Sequence, residues 1–131
     1  MWPDHCVQGT KGSEFHPDLA FENGIHERIV KGTKVLHDSY SGFGSDGEDT
    51  VLLSLLKEER IKKLVVVGLA LDFCVGSTAM DGLKYGFETV IVTNLTKGID
   101  KDNMDVMYKR FMEQGGKKTT LDDLLKGINK E

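Results

Sequence analysis

Two runs of β-branched and aliphatic residues constrain this chain more than any other feature: KLVVVGLA at 63–70 and ETVIVTNLT at 88–96. Neither alternates with polar residues in the way of a strand that has one face in water. Such an unbroken run marks a strand buried on both faces of a parallel sheet. Each run is followed by helical spacing. After the first, Val75, Ala79 and Leu83 recur at i, i+4 and i+8, and Gly86 is the stop. After the second, Met104, Met107, Tyr108 and Phe111 share one face of the segment 102–114, and Gly115-Gly116 ends it. Met104, Met107 and Phe111 read as core. Parallel strands need a crossover, normally a helix, so the alternation predicts an α/β fold with a parallel sheet.

The other segments are less explicit. Residues 1–22 read as loop, with Pro3, Gly9, Gly12 and Pro17. ERIVKG at 27–32 is a short strand candidate, and GTKVLHDSYSGFGSDGED at 32–49 a glycine-rich loop. A helix is expected over 49–60, with Val51, Leu52, Leu55 and Leu56 on one face. KKTT at 117–120 offers a short strand, and Thr120 an N-cap for a last helix.

A length of 131 residues fits one domain with one core. The net charge of −4 leaves no electrostatic footprint for nucleic acid or an anionic membrane. Lys62-Lys63 and Lys117-Lys118, the densest basic spots, read as solvated strand ends. The longest apolar run, 64–71, is too short to span a bilayer, and MWPDHCVQG has no signal-peptide apolar region. Two cysteines make no disulfide framework, so a reducing, cytoplasmic setting is the default.

In open parallel sheets the ligand crevice lies outside the carboxyl ends of the strands. Cys74 follows one such end and Lys31 sits at another. A cysteine at a strand-to-helix junction is either a nucleophile, favoured as thiolate by backbone N–H groups and the helix dipole, or a small packed residue. Lys31 is either solvated or placed to stabilise negative charge. His5 and His16 are candidate metal ligands with no second close pair. Trp2, Tyr40 and Phe43 could each wall a flat substrate or cover core. Asp72, two residues before the thiol, is either a catalytic carboxylate or, the simpler reading, a backbone acceptor within its own turn.

Taken together, WPDHCVQGTKGSEFHPDL at 2–19, VKG at 30–32, YSGF at 40–43 and VVGLALDFCVGSTAMDGLKYG at 66–86 resemble, in order, the blocks of the nicotinamidases. These are isochorismatase-like cysteine hydrolases. The resemblance implies a single isochorismatase-like domain over 1–131: a three-layer, Rossmann-like α/β fold with a parallel sheet and flanking helices. It also implies hydrolysis of nicotinamide, or a related pyridine carboxamide, to nicotinate and ammonia in NAD salvage. Cys74 would be the nucleophile and Lys31 the catalytic lysine. The N–H groups of Ala70 and Cys74 would form the oxyanion hole, after a cis Leu69-Ala70 peptide. Trp2, Leu69 and Tyr40 would contact the substrate. His5 would be one ligand of a divalent metal, zinc, iron or manganese, that holds the pyridine nitrogen.

The family's first two strands, its catalytic aspartate and its D-x-H…H metal cluster have no counterpart in this sequence. The expectation is therefore a sheet lacking those strands and a metal site reduced to His5. ERIVKG would either pair directly with KLVVVG or leave the gap to another chain, and an open strand edge predicts a homo-oligomer or swapped assembly. Two other functions stay open: an inactive family fragment acting in binding or assembly, and an isochorismatase-like amidase for another substrate.

Overall fold

The computed structural model describes residues 2–19, 27–34, 38–45 and 48–129. Residues 20–22 of the expected first loop, and 35–37 and 46–47 of the glycine-rich loop, lie outside them. A two-residue hairpin pairs β1 (Gly44–Ser45) with β2 (Glu48–Asp49), and α1 (Leu52–Glu58) follows. The main run is β3 (Lys63–Leu69), a wide helical turn at Leu71–Val75, α2 (Gly76–Lys84), β4 (Glu88–Lys97), α3 (Lys101–Glu113), β5 (Lys117–Thr119) and α4 (Leu121–Asn129).

The three strands form one parallel sheet in the order β3-β4-β5. β4 is central, and Val90, Ile91 and Val92 are buried in it. Val66 stands opposite Ile91. Both face a core of Leu71, Val75, Ala79 and Phe111, with Met80, Leu83, Met104 and Tyr108 packed against it. This core lies under α2 and α3. Side chains alternate faces along a strand, so Val65 and Val90 point the other way. There they share a cleft with Leu124 and Ile128 of α4. The result is three layers: two helices, a sheet and a helix.

Local chemistry sets the ends of these elements. Gly86 and Gly115 take φ of +90° and +97°, closing α2 and α3 in a conformation glycine adopts without steric cost. The Thr120 hydroxyl accepts the Asp123 N–H at 3.3 Å, the N-cap bond expected for α4. Burial pushes the Tyr108 phenol above its ordinary pKa. Glu88 lies 3.9 Å from Lys63 and 3.7 Å from Lys117, so the basic strand ends are exposed ion pairs.

Three expectations are corrected. The helix predicted over 49–60 is shorter, because Asp49 is taken into the hairpin. The Thr50 hydroxyl is bonded to the Gly42 carbonyl at 2.6 Å, and Arg60 turns the chain away at φ +56°. ERIVKG forms no strand: residues 27–32 have no regular structure and do not pair with β3. Nor is β3 buried on both faces. Val65, Val67 and Leu69 are 45%, 47% and 74% exposed, because α4 packs against β4 rather than β3.

Candidate active site

The site is built where β3 runs out. The Leu69-Ala70 peptide is cis, and the chain then turns at once into Leu71–Val75. The Ala70 carbonyl accepts the N–H groups of both Phe73 and Val75 at 3.0 Å, and the second bond is an i→i−5 closure wider than an α-turn. α2 continues from it, so Cys74 sits just beyond the carboxyl end of β3, where open sheets carry their crevice.

Two features fix this turn. Gly76 is packed so closely that a Cβ there would come within 2.5 Å of the Leu71 carbonyl and of Met107. Asp72 is buried, and its two carboxylate oxygens accept the Ile99 and Asp100 N–H groups, each at 3.0 Å. Asp72 is thus a backbone acceptor, as expected, but not within its own turn: it ties the Cys74 turn to the loop that opens α3. Asp72→Ala strands two N–H groups and is expected to cost about 1–3 kcal/mol. The readout is a lower urea midpoint at unchanged slope. An unchanged midpoint would mean that water replaces the carboxylate.

Lys31 reaches the thiol from an irregular segment. Its Nζ donates to the Ser39 carbonyl at 2.8 Å and to Cys74 Sγ at 3.4 Å, joining residues 43 apart in sequence. An aromatic group stands beside the pair. Trp2 meets the Phe73 ring edge-on at 4.8 Å, Tyr40 lies 5.5 Å from Phe73, and Trp2 Nε1 donates to the Tyr40 hydroxyl at 3.1 Å. Phe43 instead packs on Tyr85 and Phe87 and belongs to the core. Phe73 was not singled out in the sequence. Its only signal there is its place directly before Cys74.

His5 is exposed, 5.8 Å from Trp2, with Nδ1 2.6 Å from the Pro3 carbonyl oxygen. Among the described residues no group of three His, Cys, Asp or Glu could hold a metal ion, and one imidazole does not make a tetrahedral site. The described residues therefore do not fit a resident divalent metal. His16 is a loop histidine whose Nδ1 accepts the Asp18 N–H at 3.1 Å. Leu69 is exposed, and Ala70 directly precedes the turn that carries Cys74. Cys74 is half-buried and Cys6 exposed, both as free thiols.

A cysteine on a strand-to-helix turn, with a lysine on its sulfur, is the geometry in hand when the chain is compared with known proteins. Residues 1–123 match the isochorismatase domain. The chain belongs to the isochorismatase family. It is similar to a nicotinamidase of Escherichia coli, 37% identical over 123 residues. That match covers 92% of this chain and 57% of the relative. PnC1 from L. infantum in complex with nicotinate superposes with a TM-score of 0.87 at 36% identity, covering 92% of this chain and 61% of the other. A Pyrococcus horikoshii pyrazinamidase in complex with zinc gives 0.80 at 35%, covering 92% and 64%. This isochorismatase-family chain thus spans little more than half the length of its curated relative. Its three layers and parallel sheet agree with the family fold.

Proposed function

We propose that Cys74 attacks the carboxamide carbon of nicotinamide, or a close pyridine carboxamide, and that the chain releases ammonia and nicotinate in NAD salvage. The observation that carries this reading is the 3.4 Å approach of Lys31 Nζ to Cys74 Sγ. The similar E. coli protein is a nicotinamidase, and the PnC1 structure holds nicotinate. A C–S bond forms as the carbonyl π pair moves to oxygen, giving a tetrahedral oxyanion. The N–H groups of Ala70 and Cys74 are the donors assigned to that charge. Collapse breaks the C–N bond and leaves an acyl-thioester. With Cys74 attacking as thiolate, the departing nitrogen takes its proton from the Lys31 ammonium, which lies against Sγ, and the neutral lysine then takes one from the water that attacks next. Water then adds to the thioester carbon, the C–S bond breaks, and nicotinate leaves with Cys74 restored.

Trp2, Phe73 and Tyr40 would flank the pyridine ring, which prefers offset or edge-on contact with aromatic neighbours. Leu69 would close the apolar side. The zinc-bound pyrazinamidase makes a divalent ion the family precedent, with His5 as the ligand the resemblance assigns to it here. The described residues do not fit one, so no step runs through it. Two free thiols accord with a reducing, cytoplasmic setting.

The decisive measurement is ammonia released by this chain from nicotinamide, with and without added zinc, iron or manganese. Ammonia and nicotinate in equal amounts are expected. A folded chain releasing neither, with or without metal, overturns the reading. That outcome favours a second one, an assembly or binding element. The exposed Val65, Val67 and Leu69 support it, and β3 is an edge of the described sheet, where a second copy or another chain would add a strand.

A further inference from the structure

The glycine-rich loop makes three separate contacts within four residues. The Ser39 carbonyl takes the Lys31 ammonium at 2.8 Å. Tyr40 stands against Phe73 and accepts from Trp2. The Gly42 N–H donates to Thr78 Oγ1 at 2.8 Å. Thr78 belongs to α2, and its hydroxyl in turn donates to the Cys74 carbonyl at 2.7 Å. A hydroxyl has one proton and two lone pairs, so it makes both bonds at once.

Bonding back to the carbonyl four residues earlier is an ordinary habit of helical threonine. Accepting a backbone N–H from a loop 36 residues away is not. The fit is also tight: a Cβ on Gly42 would lie 3.3 Å from Leu52 and 3.6 Å from the Thr78 methyl. The loop is therefore in contact with α2 as well as hydrogen-bonded to it. Lys31 has its second contact on the same loop, so wherever the loop sits, the ammonium goes with it.

We infer that Thr78 is a positioning residue. It clasps the 39–42 loop to the helix that carries Cys74, and so sets the register of Lys31 and the aromatic wall against the thiol. This rests on reading Cys74 as the nucleophile, and the experiment separates the two claims.

Alkylation of Cys74 by iodoacetate and by iodoacetamide uses the same leaving group with and without a negative charge. An ammonium beside the sulfur speeds the anionic reagent selectively, on the order of tenfold at low salt. The rate ratio is read at Cys74 by peptide mass spectrometry, with exposed Cys6 as the internal reference. The wild-type ratio at Cys74 is expected to exceed that at Cys6, and Lys31→Met to abolish the excess. Thr78→Val should fall to the Lys31→Met value, Thr78→Ser should recover, and Thr78→Val should change nothing further in the Lys31→Met background. Thr78→Ala, which removes the hydroxyl and adds no atoms, reads the same ratio should the valine variant lose its thermal transition.

A raised wild-type ratio that survives in folded Thr78→Val or Thr78→Ala overturns the clasp and leaves the nucleophile standing. A wild-type ratio no higher than that of Cys6 overturns the pairing of Cys74 with Lys31, and the clasp with it. A merely structural threonine would lower the melting temperature and leave the ratio alone.

Discussion

Cys74→Ala is expected to reduce ammonia release from nicotinamide to the level of the uncatalysed reaction, a loss of at least about 10³-fold. The size of the effect follows from the chemistry. Without the sulfur no thioester forms, and the aromatic wall and any oxyanion donors would have to act on direct attack by water. Lys31 would remain on the Ser39 carbonyl and would have nothing to stabilise. Cys74 is only half-buried and alanine fits the same turn, so the melting temperature should hardly move. The parallel change at exposed Cys6 should leave turnover as it was. Retained activity in Cys74→Ala, at native stability, would exclude Cys74 as the nucleophile. Cys74→Ser is the finer probe: it keeps the shape and replaces the sulfur with a much weaker nucleophile.

Phe111→Ala should be the most damaging change to stability, about 3–5 kcal/mol, since the ring is fully buried and its removal leaves a cavity. A domain of this size has about 5–15 kcal/mol in total, so the variant would be marginal at room temperature. The ring cannot be replaced from nearby, because it occupies the space where a side chain at Gly116 would stand. The Gly116 N–H also bonds to the Phe111 carbonyl at 2.9 Å, fixing the turn into β5. Equilibrium urea unfolding gives the value directly. A loss under about 1 kcal/mol would show that the core relaxes into the gap, as well-tolerated sites do.

The candidate site is partly legible in the sequence. The placement of Cys74 came from one run, KLVVVGLA, and its turn, and that logic held because local patterning and sheet topology agree there. The outer exposure of β3 was not legible. An apolar run shows that a strand tolerates burial, not whether a second layer reaches it. ERIVKG failed for a related reason: a strand exists only if a neighbour offers a ladder, and propensity is silent on neighbours. Asp72 was assigned the right kind of partner at the wrong distance, since Ile99 and Asp100 are 27 and 28 residues away. Thr78 carries no local signal, and Phe73 only its place directly before Cys74. Their roles exist only once Tyr40 and Gly42 are folded against them.

The Asp72 tie has a consequence for how the molecule comes into being. The turn that presents Cys74 is held by Ile99 and Asp100 and packed by Met107, all later in the chain. Lys31 and Tyr40, by contrast, leave the ribosome first. For a time the nascent chain carries Lys31 and Cys74 without the surface that brings them together. Only when α3 has emerged and docked does that surface exist. The approach of Lys31 to Cys74 is thus withheld until α3 has been made, and it becomes a mark of a docked α3 rather than of a partial fold.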